Sequence, residues 1–264
     1  MRTPYIGITG ICNDEDIQTL RMAETVLAGG SHILMAGILV SHKTLTGLPT
    51  TNRRYPLIDE AVRLAKKLAR FAWPVAHYNT SGCQDPLSKQ LETLAHKLDE
   101  IEGIQLNVVR PDPAEVAKFR ETHPDVEIIL QVNRHSPADY GVQAILDYVR
   151  LYEGSVDYAL LDLSGGEGRP LDAEWALEIY SKWPFIRSHS GEPVGLGVAG
   201  GLGPNCKDLI EPFYSRLKTL SLDAEGGLRV PVADPIPDAR YQDRLDRDKA
   251  LGYVSTLATF MGAL

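Results

Sequence analysis

One pattern constrains this chain more than any other: an alternation repeated eight times. Short runs rich in β-branched and apolar residues are each followed by a longer amphipathic run. "PYIGIT" precedes "DEDIQTLRMAETVLAGG", "HILMAGILV" precedes "LIDEAVRLAKKLARF", and "VDYALLDL" precedes "DAEWALEIYSKW". Strands buried on both faces read as near-continuous apolar runs, whereas helices show apolar residues three and four apart. Acids in the first turn and glycine after the last turn mark the helix ends. Eight such units in 264 residues predict an α/β fold of the (β/α)₈ TIM-barrel type, a single domain over 1–264. An open doubly wound sheet is the runner-up, disfavoured by the count of eight and the even unit length. Two segments, 41–56 and 226–243, are longer than ordinary connections and follow strand ends, where long loops serve as lids or binding loops.

Composition narrows the partners. The formal net charge is −8, and no basic stripe interleaved with aromatics occurs, which argues against nucleic acid and anionic membrane surfaces. The three cysteines, Cys12, Cys83 and Cys206, form neither a zinc spacing nor a disulfide framework, so a cytoplasmic location is expected. No secretory leader pattern and no membrane-length apolar run is present in the sequence. The expected partner is a small molecule bound by a monomer or homodimer, with no cofactor and no metal, since no ligand-spacing motif stands out.

A barrel gathers the C-terminal strand ends at one mouth. That places Asp162, Asp223, His77 or Asn79, Asn107, and Gln131 or Asn133 around one space. A carboxylate there serves as acid or base when its surroundings tune it. Glycine-rich turns follow the last three strands: Gly165 and Gly166 in "GGEG", Gly200 and Gly201 in "AGGLGPN", and Gly226 and Gly227 after "SLDAE". Such turns let backbone approach a ligand closely, and a barrel phosphate site commonly uses the last two loops.

The motifs together resemble those of the phosphoribosylanthranilate isomerase family. "ITGICNDEDI", "RY" at Arg54–Tyr55, "IQLN" ending at Asn107, "LLDLSGGEGRPLDAEW", "AGGLGPNC" and "SLDAEGG" occur in the family's order, each at its own strand or loop. The resemblance covers most of the chain. It implies a barrel catalysing an Amadori rearrangement in tryptophan biosynthesis, with a first-strand cysteine as base and the sixth-strand aspartate, here Asp162, as acid. It further implies that Arg54 meets a ligand carboxylate, and that Gly200, Gly201 and the eighth-strand turn hold a phosphate.

Departures from the pattern are concentrated where the chemistry is. The base cysteine falls on Thr9, whose hydroxyl is too weak a base unaided; Cys12, three residues on, and Asp223 are the alternatives. The family's fourth-strand histidine is Asn107, and its two serines after the eighth strand become Asp223 and Ala224, followed by Glu225. Carboxylates beside a phosphate pocket repel a dianion. Three readings follow: an isomerase of the family type, a related barrel enzyme with a different and unphosphorylated ligand, and a binding protein that lost the base cysteine along with catalysis.

Overall fold

The computed structural model describes residues 2–48, 50–133, 141–162, 172–183, 186–234 and 241–262. Eight parallel strands close on themselves: β1 (Tyr5–Thr9), β2 (Ile33–Ser41), β3 (Trp73–Asn79), β4 (Gly103–Leu106), β5 (Glu127–Asn133), β6 (Tyr158–Asp162), β7 (Gly195–Ala199) and β8 (Leu220–Ala224). The barrel is sealed where β8 pairs with β1, through Ile6↔Leu222 and Gly7↔Asp223. An open sheet is thereby excluded.

Around the barrel run α1 (Asp14–Leu27), α2 (His42–Leu45), α3 (Ile58–Leu68), α4 (Leu87–Lys97), α5 (Pro113–Thr122), α6 (Val142–Arg150), α7 (Ala173–Ser181), α8 (Lys207–Ile210) and α9 (Arg247–Gly262). Their starts carry the signals read from sequence. Asn13 caps α1 by accepting from the Asp16 amide at 3.0 Å. Asp112 caps α5 ahead of Pro113, and Asp172 caps α7. The unit after β7 departs from a full helix: α8 has four residues and continues as a 3₁₀ stretch over Glu211–Thr219. Neither long loop is structureless. The first contains α2, whose start is fixed by a capping box between Ser41 and Thr44. The second contains β9 (Arg229–Pro231), paired antiparallel with β10 (Asp243–Leu245). Among the described residues no helix is long and apolar enough to cross a membrane.

Alternate strand residues face outward and pack against the helices; Ile6, Ile8, Ile38, Leu130 and Leu161 are fully buried there. The inward residues stack in layers. Tyr5, Trp73 and Tyr158 close the N-terminal end, with ring centroids 5.4–5.6 Å apart. Gly103 and Gly195 give these rings room: a Cβ on either would meet Trp73 or Tyr158 at 2.8 and 2.5 Å. Met35, Val75, Ile129 and Leu160 form the middle of this inner core. Above them the inward positions turn polar: Thr9, His77, Gln105, Gln131, Asp162 and Asp223, all buried. A dry packed floor thus carries a polar layer at the C-terminal mouth, the face where barrel enzymes keep their sites.

Candidate active site

The mouth opens onto a cavity of about 470 Å³. Its wall includes Arg54, His77, Asn107, Gln131, Asp162 and Asp223 from the residues expected there, and also Gly200, Gly201, Gly226 and Gly227. Gly165 and Gly166 lie outside the described residues, as does the side chain of Asn133. Gly200 and Gly201 adopt φ of 110° and 66°, the left-handed region that glycine tolerates. Gly227 has a second reason to be glycine: a Cβ there would fall on the Leu202 carbonyl, because the loops after β7 and β8 are pressed together.

Asp162 and Asp223 stand at one level. Both pair in register with Ala199 of β7, one from each side. Two strand spacings put their Cα atoms roughly 10 Å apart. The Asp223 carboxylate lies over Gly7, where a Cβ would come within 2.5 Å of Oδ1. Thr9 donates to the same Oδ1 at 3.0 Å. Burial raises the Asp223 carboxyl to about 6; His77 and the Thr9 hydrogen bond work against that rise, and Glu225 and Asp162 add to it.

Thr9 is therefore a donor to a carboxylate, not a base, and it does not line the cavity. Cys12 also stands apart from the cavity wall. Its Sγ lies 3.4 Å from Asp16 Oδ2, which also accepts from the Cys12 amide at 2.9 Å. Burial, then the Asp16 charge, push this thiol up to about 11, so it holds its proton at neutral pH. Cys12 is one of the alternatives for the base; the first loop turns its thiol onto its own helix start.

From Asp162 a hydrogen-bonded chain crosses the floor. Gln131 Nε2 donates to Asp162 Oδ2 at 2.8 Å, and Gln131 Oε1 meets His77 Nε2 at 3.2 Å. A carboxylate accepts only, which fixes the direction of the Gln131 amide. Its oxygen then requires a hydrogen on His77 Nε2. The ring's Nδ1 is buried with no hydrogen-bond partner. Gln105 approaches the same Nε2 at 3.3 Å. A protonated Nε2 has no lone pair for a second donor, so the Gln105 amide is better satisfied with its oxygen toward the ring. Gln105 follows from the sequence in hindsight, since it lies two residues before Asn107 on the same face of β4.

Arg54 reaches the mouth, where three of its five N–H donors meet carboxylates of the protein. Nη1 donates to Glu225 Oε1 at 2.6 Å, while Nε and Nη2 bind both carboxylate oxygens of Asp243. Tyr241 covers the guanidinium, with the ring centroid 4.6 Å from Cζ. Arg229 joins the cluster, donating to Asp243 and, at 3.1 Å, to the Gly10 carbonyl. Asp243, Arg229 and Tyr241 escape a sequence reading: they sit in a long loop with no motif, and only its fold brings them to Arg54. Among the described residues no group of three or more histidine, cysteine or acidic side chains is arranged to hold a metal.

No family model matches the chain, and no curated protein does. Solved structures do match. A phosphoribosyl anthranilate isomerase from Thermotoga maritima superposes with a TM-score of 0.63 at 19% identity, covering 97% of this chain and 99% of that one. The enzyme of the same description from Thermus thermophilus gives 0.62 at 18% identity, covering 97% and 98%. A TrpF from Jonesia denitrificans gives 0.56 at 16%, covering 96% of each. At these identities the likeness is one of fold.

Proposed function

We propose that this chain is an acid/base enzyme of the isomerase type, which moves a proton on a small polar ligand with Asp223 and Asp162 as the working pair. Asp223 carries the reading: a buried carboxyl on the cavity wall, with its proton affinity raised to about 6. A base that takes a proton from carbon near neutral pH works best when its own pKa lies near that pH. The carboxylate of β8 then does the work that the resembled family gives to a first-strand thiol, and Thr9, at the thiol's position, steadies it. Asp162 serves as the second carboxyl, oriented by Gln131, at the position the resemblance gives to the acid. Flanking Ala199, the two reach a ligand at neighbouring atoms, one accepting a proton from carbon while the other donates to oxygen.

The internally paired Arg54 argues for a ligand other than the one carried by the resembled family. The expected outcome in a tryptophan-requiring host lacking that isomerase is no rescue by soluble protein. The direct test is proton exchange: aldoses, ketoses and amino sugars incubated with the protein in D₂O and followed by NMR for loss of the C–H signal beside the carbonyl. Asp223→Asn should lower the exchange rate by a factor on the order of 10²–10⁴. An undiminished rate in that variant refutes the assignment.

A further inference from the structure

One corner of the mouth is lined chiefly by carboxamides. On β3 and β4, His77 and Gln105 pair in register and face inward, both buried and both on the cavity wall. Asn79 and Asn107 stand two residues further along the same faces, roughly 7 Å nearer the opening, and line the cavity too. The loops that follow both strands lie wholly within the described residues. Asn79 Nδ2 donates to the Asn107 carbonyl at 3.1 Å, and its Oδ1 accepts from the Ser81 amide at 2.8 Å. The Asn107 amide nitrogen donates to the Tyr78 carbonyl at 2.9 Å. Asn107 is thus held by its backbone, and its side-chain amide bonds to none of the described residues. One layer down, His77 Nδ1 has no hydrogen-bond partner, and the end of the Gln105 amide turned away from the ring meets no donor. Polar groups left unpaired in a buried wall cost free energy that a matching ligand recovers.

A carboxamide offers a donor group and an acceptor, and a hydroxyl both gives and takes a hydrogen. A hydroxyl therefore matches these groups whichever way the Gln105 amide is turned and whatever charge the His77 ring carries. The two layers add length. A flat heterocycle presents its edge in one plane, whereas a hydroxylated carbon chain presents a polar group at each step along the strands. We infer that the β3–β4 corner is a subsite for a chain of neighbouring hydroxyls, so that the ligand of this mouth is an open-chain sugar or polyol whose hydroxylated tail lies on Asn107, Gln105 and His77. The inference rests on the mouth being the working site, as proposed above, but needs no turnover. Because β8 lies across the closed barrel from β4, a sugar held by its tail presents its carbonyl end to Asp223. A site built to bond hydroxyls rejects the analogue that lacks them, since its own polar groups are then stranded.

NMR titration of the full chain tests it, followed on the side-chain NH₂ signals of Asn107 and Gln105. The probes are the pentitols ribitol, xylitol and arabinitol; the ketopentoses ribulose and xylulose; pentanol, their counterpart with a single hydroxyl; and uracil as a flat amide. At least one pentitol or ketopentose should move both signals and bind about tenfold or more tighter than pentanol, tenfold being the worth of one hydrogen bond. Asn107→Leu removes the upper amide at similar size. It should weaken that ligand about tenfold with an unchanged melting temperature. Gln105→Met removes the lower amide and should weaken the ligand likewise. Binding of no pentitol or ketopentose, equal affinity for pentanol, tighter binding of uracil, or unaltered affinity in either variant overturns the inference. Because these readouts are binding alone, sugar binding without proton exchange would sink the catalytic reading and leave this one standing, and exchange on a substrate with no hydroxylated tail would do the reverse.

Discussion

Asp223 shows how a single buried carboxyl links stability to chemistry. Its folded-state pKa of about 6 lies above the ordinary value of 3.8, so the folded chain binds more protons than the unfolded chain between those values. Stability contributed by this group is full below pH 3.8 and is lost as pH rises through 6. Asp223→Asn keeps an acceptor for Thr9 and removes the charge. Relative to the unmodified protein, it should gain on the order of 2 kcal/mol at pH 7.5 and little at pH 4, read as melting temperatures across that range. A constant difference from pH 4 to 7.5 would mean that the carboxyl is not perturbed. The same substitution removes the proposed base, so stability and proton exchange should move in opposite directions.

Elements hold the site through what they lack as well as what they carry. The turn after β7 and the 3₁₀ turn Gly226–Leu228 after β8 touch at backbone distance, with the Leu202 carbonyl against Gly227. Gly227→Ala forces these two loops apart, with an expected cost of about 1–3 kcal/mol and weakened ligand binding, measurable by denaturant unfolding and by titration. Gly7 on β1 is the corresponding gap within the strand, since the Asp223 carboxylate and the Met35 methyl lie where its side chain would be. The β9–β10 pair acts differently. It brings Asp243 to both Arg54 and Arg229, so the second long loop is tied to the first by ion pairs at the rim.

Across the whole molecule the two ends of the barrel divide the tasks. At the N-terminal end Asp157 is 1% exposed and binds Arg2 and Arg120, while its Oδ2 also accepts from the Ile128 amide at 2.8 Å. Glu127 completes the cluster by accepting from Arg2. Removing one partner of such a group strands buried charge. Asp157→Ala should therefore cost about 3–5 kcal/mol in equilibrium unfolding, while the fraction that remains folded binds ligand with unchanged affinity. A lowered affinity at full folding would show that the two ends are coupled. The aromatic layer of Tyr5, Trp73 and Tyr158 stands between this cluster and the polar mouth, and it separates them physically.

The eightfold alternation was sufficient to specify the barrel, because period and turn chemistry are local and each βα unit records its own burial. Period also put Asp162, Asp223, His77 and Gln131 at one rim, since strand direction fixes which ends converge. What the mouth does with its charges was decided by tertiary structure alone. Arg54 reads in sequence as a receptor for a ligand acid, yet its partners lie 171 and 189 positions away and arrive through loops without periodicity. Cys12 reads as a displaced base, yet a turn of three residues commits its thiol to Asp16. Side-chain pairing depends on distances between loops, and those distances exist only once the ring of strands has closed.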